Sequence, residues 1–150
     1  LTGSETFILS HTNSLPLPSR WHMFFEQGAV LRPSSHQPCI EVCPQPTWDV
    51  FMSKISVIAE TDTRGLAWKQ REMAKAVTVG LDPDGALDIP EPMAAHAELS
   101  SGASVVMVGF LDRLTVWHKQ RWMDFQNGEE QDATYVMEKY GQELFWPINS

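Results

Sequence analysis

Leu81-Asp82-Pro83-Asp84-Gly85-Ala86-Leu87-Asp88-Ile89-Pro90-Glu91-Pro92 decides how the rest of the chain is read. Upstream of it Val77, Val79 and Leu81 alternate with Thr78 and Gly80, and beyond the turn Leu87 and Ile89 alternate about Asp88. A period of two is the pattern of a half-buried strand. Asp-Pro-Asp-Gly supplies the reversal, because Asp bonds its own backbone and Gly accepts positive φ, and Pro90 suits the first turn of a helix. The stretch predicts strand, tight turn, strand and helix start, running on through Met93 to His96.

A second copy of its downstream half lies 74 residues earlier. Between Ser14 and Phe51 that one offset pairs Pro16 with Pro90, Pro18 with Pro92, His22 with His96, Gly28 with Gly102, Ala29 with Ala103, Val42 with Val116, Trp48 with Trp122 and Phe51 with Phe125. Leu15 with Ile89 and Ile40 with Leu114 add conservative matches. So many coincidences without a gap predict two tandem copies of one supersecondary unit, residues 6–76 and 77–146.

Upstream of Ser14 the register changes. A first strand over Phe7 to Asn13 fits best with Asn13 beside Val79, which leaves the counterparts of Gly80 to Leu87 with no place in the first copy. A strand ending at Asn13 and another starting at Ser14 cannot reverse direction, since even the tightest hairpin needs about two loop residues. Either the chain runs straight on and one hairpin is lost, or an exposed loop is missing between Asn13 and Ser14; we favour the missing loop.

With 150 residues, 43% of them hydrophobic, the chain is long enough to bury a core without disulfide staples. No apolar run approaches the length of a membrane span, and no basic segment followed by an apolar one marks a secretory signal, so the expected location is the cytoplasm. A net charge of -8 argues against nonspecific polyanion binding by the whole surface, while leaving room for one local contact repeated around an oligomer. Cys39 and Cys43 are too few for a disulfide scaffold and, in a strand, share a face. With His36 they fall short of the four ligands a structural zinc site takes, so no metal and no cofactor are expected.

Taken in order, residues 1–5 read as a disordered lead-in. A short helix is expected from Pro18 to Gln27, stopped by Gly28, then strands Ala29 to Arg32 and Pro38 to Cys43. Helices follow over Pro46 to Glu60 and Thr63 to Ala76. The second copy repeats the plan with a helix from Pro90 to Leu99, strands Ser104 to Phe110 and Arg113 to His118, and a helix from Gln120; Tyr135 to Phe145 reads as a last helix. Trp and Met at helical spacing read as packing residues, and His22 and His96 as a shared structural seat. There is no Gly-rich phosphate loop, nucleophile context or spaced carboxylate pair, so an enzyme is not expected.

Leu81-Asp82-x-x-Gly85-x-Leu87-x-Ile89-Pro90 and Gly109-x-x-Asp112-Arg113-x-x-Val116-Trp117-x-x-x-x-Trp122 together resemble the MraZ family of bacterial transcription regulators. The resemblance spans nearly the whole chain. It implies an α+β fold in which two tandem swapped-hairpin units of the AbrB and MazE type form one pseudo-twofold, barrel-like core with flanking helices. It also implies a cytoplasmic, nucleoid-associated protein that assembles into rings, binds direct repeats in a promoter and regulates the operon for division and cell-wall synthesis. The family's Asp-x-x-x-Arg turn falls on Asp82, Pro83, Asp84, Gly85 and Ala86, and its short-helix arginine on Arg20, which makes these the candidate DNA-binding residues.

The match is incomplete. Ala86 stands where the turn's Arg belongs, and alanine cannot hold a phosphate or a guanine edge as a guanidinium fork does. Restoring Arg at 86 is expected to raise DNA affinity. Arg20 reads as either a DNA contact or one side of an ion pair, with the structural role preferred, and Arg113 beside Asp112 as a turn-stabilising pair. The alternative function is an assembly or protein-binding module of the same fold that has lost DNA binding.

Overall fold

The computed structural model describes residues 1–144. In chain order it contains β1 (Ser4–Ile8), β2 (Ser14–Pro16), a 3-10 helix (Ser19–Phe25), β3 (Ala29–Pro33), β4 (Cys39–Pro44), α1 (Gln45–Ile55) and α2 (Thr63–Lys75). Then come β5 (Val77–Val79), β6 (Ala86–Asp88), α3 (Glu91–His96), β7 (Ser104–Phe110), β8 (Arg113–His118), α4 (Lys119–Gln126) and α5 (Glu129–Leu144). The expected last helix thus begins earlier than Tyr135; its expected end at Phe145, and the second copy's limit at residue 146, lie outside the described residues.

Six strands form one antiparallel sheet in the order β1-β7-β8-β4-β3-β5, and β2 pairs with β6 in a separate ribbon. The two halves of the chain interleave. β1 lies against β7, Ser4 opposite Val108, while β5 lies against β3, Val79 opposite Ala29. β4 and β8 meet in the middle, Ile40 opposite Val116. The sheet's ends, β1 and β5, do not pair with each other, so the expected fold is present as a mixed α+β sheet and not as a closed barrel.

The alternation that predicted strands fills the core. Leu31, Ile40, Val42, Val105, Met107, Leu114 and Val116 are fully buried on the sheet, joined by Leu15 and Leu87 of the ribbon and by Trp21, Phe25 and Met93 of the short helices. β1 ends at Ile8, five residues before the expected limit, and its start falls inside the supposed disordered lead-in. The Leu1 ammonium even donates to Leu111 O at 3.0 Å. Ending the strand early frees Ser10-His11-Thr12-Asn13 to turn, so the backbone passes continuously from β1 into β2 and the expected missing loop is not needed.

The chain divides into two compact units, residues 1–119 with all the strands and residues 120–150. Among the described residues the second unit is helical, and within it the Trp122 and Phe125 rings stack with centroids 5.5 Å apart. No helix among the described residues is long and apolar enough to cross a membrane.

Candidate nucleic-acid interface

The candidate residues Asp82 to Ala86 form the reversal between β5 and β6, and its geometry follows from side-chain chemistry. The Asp82 carboxylate accepts the Asp84 N–H at 2.9 Å and the Ala86 N–H at 2.8 Å, while Asp82 O accepts the Gly85 N–H at 2.9 Å. Gly85 closes the turn at φ +76°, a left-handed conformation that costs glycine nothing. Pro83 and Asp84 are the exposed tip, and Ala86 is buried at the start of β6, opposite Pro16.

A matching turn stands in the first copy. Ser10 O accepts the Asn13 N–H at 3.0 Å, the Ser10 hydroxyl accepts the Ser14 N–H at 3.1 Å, and Asn13 takes φ +55°. Ser10 occupies the place of Asp82, Asn13 that of Gly85, and Ser14 that of Ala86. His11 and Thr12 form the exposed tip. The equivalence continues through Leu15 with Leu87, Leu17 with Ile89, and Pro18 with Pro90, each residue of a pair matching the other in burial. Here the structural repeat is two residues shorter than the offset that aligned Pro16 with Pro90. The sequence reading missed this turn because Ser-His-Thr-Asn contains neither Gly nor Pro; Asn13, the residue after Gly that best tolerates left-handed backbone, was the available signal.

The two turns are bound to each other's strands. Gly85 O accepts the Leu17 N–H at 3.0 Å and Asn13 O accepts the Ile89 N–H at 2.9 Å. The ribbon between them is centred on Leu15 opposite Leu87, both fully buried, so the two turns belong to one rigid element. Neither turn carries a lysine or arginine. The second presents Asp82 and Asp84, and the first has His11 as its titratable group.

Arg20 does not join either turn through a hydrogen bond. Its guanidinium pairs with Glu5 at 3.1 Å and lies 4.5 Å from the centroid of the Trp21 ring, fastening the 3-10 helix to β1. Arg113 bonds Asp112 at 3.0 Å, as expected, and also Glu41 Oε1 at 3.2 Å. The same oxygen accepts from Arg32 Nε at 2.8 Å, and Arg32 in turn sits over the Phe51 ring at 4.6 Å. Burial disfavours the charged Arg113, but the Asp112 hydrogen bond and the Glu41 and Asp112 carboxylates outweigh it and its pKa is raised. This cluster ties β3, β4 and β8 to α1.

The thiols sit apart from this chemistry. Burial pushes Cys39 up to about 12 against a Ser34 hydrogen bond that opposes it, and pushes Cys43 up to about 11 against the nearby arginines. Both stay protonated and unreactive at neutral pH. Among the described residues no three His, Cys, Asp or Glu side chains are grouped to hold a metal ion. His22 and His96 do not share a seat: His22 Nε2 bonds Leu17 O at 2.6 Å, and His96 Nε2 bonds Gln37 O at 3.1 Å.

Comparison with known proteins points to one family. Residues 73–139, which include the second turn and all of β5 to β8, match the family model described as "MraZ protein, putative antitoxin-like". A protein of Pediococcus pentosaceus named transcriptional regulator MraZ is 28% identical over 136 residues, covering 91% of this chain and 93% of its own length. Proteins of the same name from Dehalococcoides mccartyi and Thermus thermophilus are 22% and 26% identical, covering 91% and 80% of this chain. The likenesses to the named regulators extend over most of the chain. The chain is thus similar to the MraZ family, by its model over residues 73–139 and by the named regulators over most of its length.

Proposed function

We propose that this protein is a DNA-binding transcriptional regulator and not an enzyme, with a core of two swapped hairpins contributed by residues 6–76 and 77–146. The observation that carries the reading is the reciprocal bonding of the two turns, Asn13 O to Ile89 N and Gly85 O to Leu17 N, in a chain whose relatives are named as transcriptional regulators. In a ring of identical subunits the same two-turn element recurs at each step, which suits a target of repeated sequence. The proposed site comprises Asp82, Pro83, Asp84, Gly85 and Ala86 with their counterparts Ser10 to Ser14. Arg20 supports it from behind through Glu5. The proposed target is a promoter with direct repeats upstream of division and cell-wall genes, reached in the cytoplasm on the nucleoid by a ring of identical subunits. Exposed Met23, Phe24, Phe110 and Leu111 supply apolar surface for such subunit contacts.

A second reading, an assembly module that no longer binds DNA, is favoured by the lack of a cation on either turn. An electrophoretic shift on the DNA upstream of the protein's own gene, with a scrambled duplex as competitor, separates the two. A specific shift supports the regulator; no shift at low salt, with an oligomeric mass by light scattering, supports the module.

A further inference from the structure

Four of the first unit's cations, Arg64, Lys69, Arg71 and Lys75, lie on α2. Arg20, Arg32 and Arg113 are all spent on carboxylates within the fold. On α2, in contrast, Arg64, Lys69 and Arg71 have no carboxylate partner among the described residues, and Lys75 reaches Glu72 only at 3.6 Å. Arg64, Trp68, Arg71 and Lys75 follow one another at spacings of four, three and four residues, which places them on a single face of an α-helix. All four are exposed, the Trp68 indole to 42%. The helix's one acid, Glu72, is 6% exposed and turned inward, its carboxylate 3.4 Å from the Ser35 hydroxyl. The stripe therefore presents Arg64 and Arg71 with no carboxylate partner among the described residues, in a protein whose net charge is -8.

We propose that this face of α2 is a contact surface for the sugar-phosphate backbone of duplex DNA, supplying the cations that the two turns lack. The inference rests on the regulator reading and adds to it a surface outside the hairpins. Charge complementarity selects the occupant. At about 1.5 Å of rise per residue the stripe from Arg64 to Lys75 runs about 16 Å, enough to follow successive phosphates along one strand. Trp68 lays an apolar surface between the cations, and contacts of this kind position a protein on DNA without reading bases. Specificity then stays with the turns and general affinity with the helix.

The test uses the full chain and two duplexes of equal length, the DNA upstream of its gene and an unrelated sequence, with affinity measured across a salt series. Arg64→Ala with Arg71→Ala is expected to weaken binding to both duplexes alike and to lower the slope of log affinity against log salt by about 0.9 for each phosphate no longer neutralised, near 1.8 per engaged subunit. Arg64→Lys with Arg71→Lys should restore most of the slope. The exposed positions make an unchanged melting temperature the expected control. Unchanged slope and affinity overturn the proposal while leaving the regulator reading in place. A variant whose mass by light scattering falls while its slope holds assigns the stripe to the acidic α5 of a second copy, and overturns it too. Failure of the unaltered protein to bind either duplex at low salt overturns both readings.

Discussion

Asn13 and Gly85 occupy equivalent corners of the two turns, both in left-handed backbone, φ +55° and +76°, and the carbonyl of each holds the strand that follows the other. One corner uses an L-residue and the other glycine, so the same geometry carries a steric cost in only one copy.

Gly85→Ala should be the costlier change. A methyl there meets positive φ and would lie 2.7 Å from His22 Cε1, so a loss of about 1–3 kcal/mol is expected in urea unfolding. His22→Ala in the same chain should remove the ring clash and recover part of that loss. Asn13→Gly relieves the conformational cost and should be neutral or slightly stabilising.

Asp82→Ala removes one carboxylate oxygen serving two backbone N–H groups, whereas Ser10→Ala removes a hydroxyl serving one. The first is expected to cost about 1–2 kcal/mol and the second less than about 1. Equal losses in thermal melts would contradict this account of the turns.

Glu41 is shared by Arg32 and Arg113, so Glu41→Ala leaves two half-buried guanidinium groups facing each other. Because both side chains keep some solvent contact, the expected cost is about 1–3 kcal/mol, below that of a fully buried pair. Glu41→Gln keeps an acceptor and should cost less. Urea midpoints of the two variants decide it.

Cys39 and Cys43 give the protein an alkaline limit. Their folded pKa values, about 12 and about 11, lie above the ordinary 9.0 of the unfolded thiol, so the unfolded chain releases those protons first. Stability from this source is complete below about pH 9 and falls as pH rises toward about 11–12. Cys39→Ala with Cys43→Ala should flatten the fall between about pH 9 and 11 in denaturant titrations.

Elements marked by strong local chemistry were legible in the sequence. β7 and β8 have the expected limits, and α2 ends one residue early, because apolar alternation and the Asp112 reversal are local signals; α2 is capped by Asp62, whose carboxylate accepts the Gly65 N–H. The Asp82 to Gly85 turn was legible for the same reason. What failed was set by distant contacts. Ser4–Ile8 is polar and short and becomes a strand only because β7 offers it an edge, while Ser10 to Asn13 turns without Gly or Pro because Ile89 binds Asn13 O. Ala86 looked like a vacancy at a turn tip; its burial shows instead that an arginine placed there must displace packing around Pro16. The expected gain in affinity from Ala86→Arg would therefore come with a loss of stability.

The pairing of Ser4 with Val108 also sets an order of events during synthesis. β3 can find β4 and then β5 while the ribosome is still working, but β1, made first, waits for almost the entire chain before β7 emerges. Throughout that interval it is an unsatisfied strand edge, and the nearest complementary β7 can belong to a neighbouring nascent chain on the same message. Slower elongation after residue 79 would lengthen the wait, and exchange of β1 between copies is the misassembly that such a wait invites.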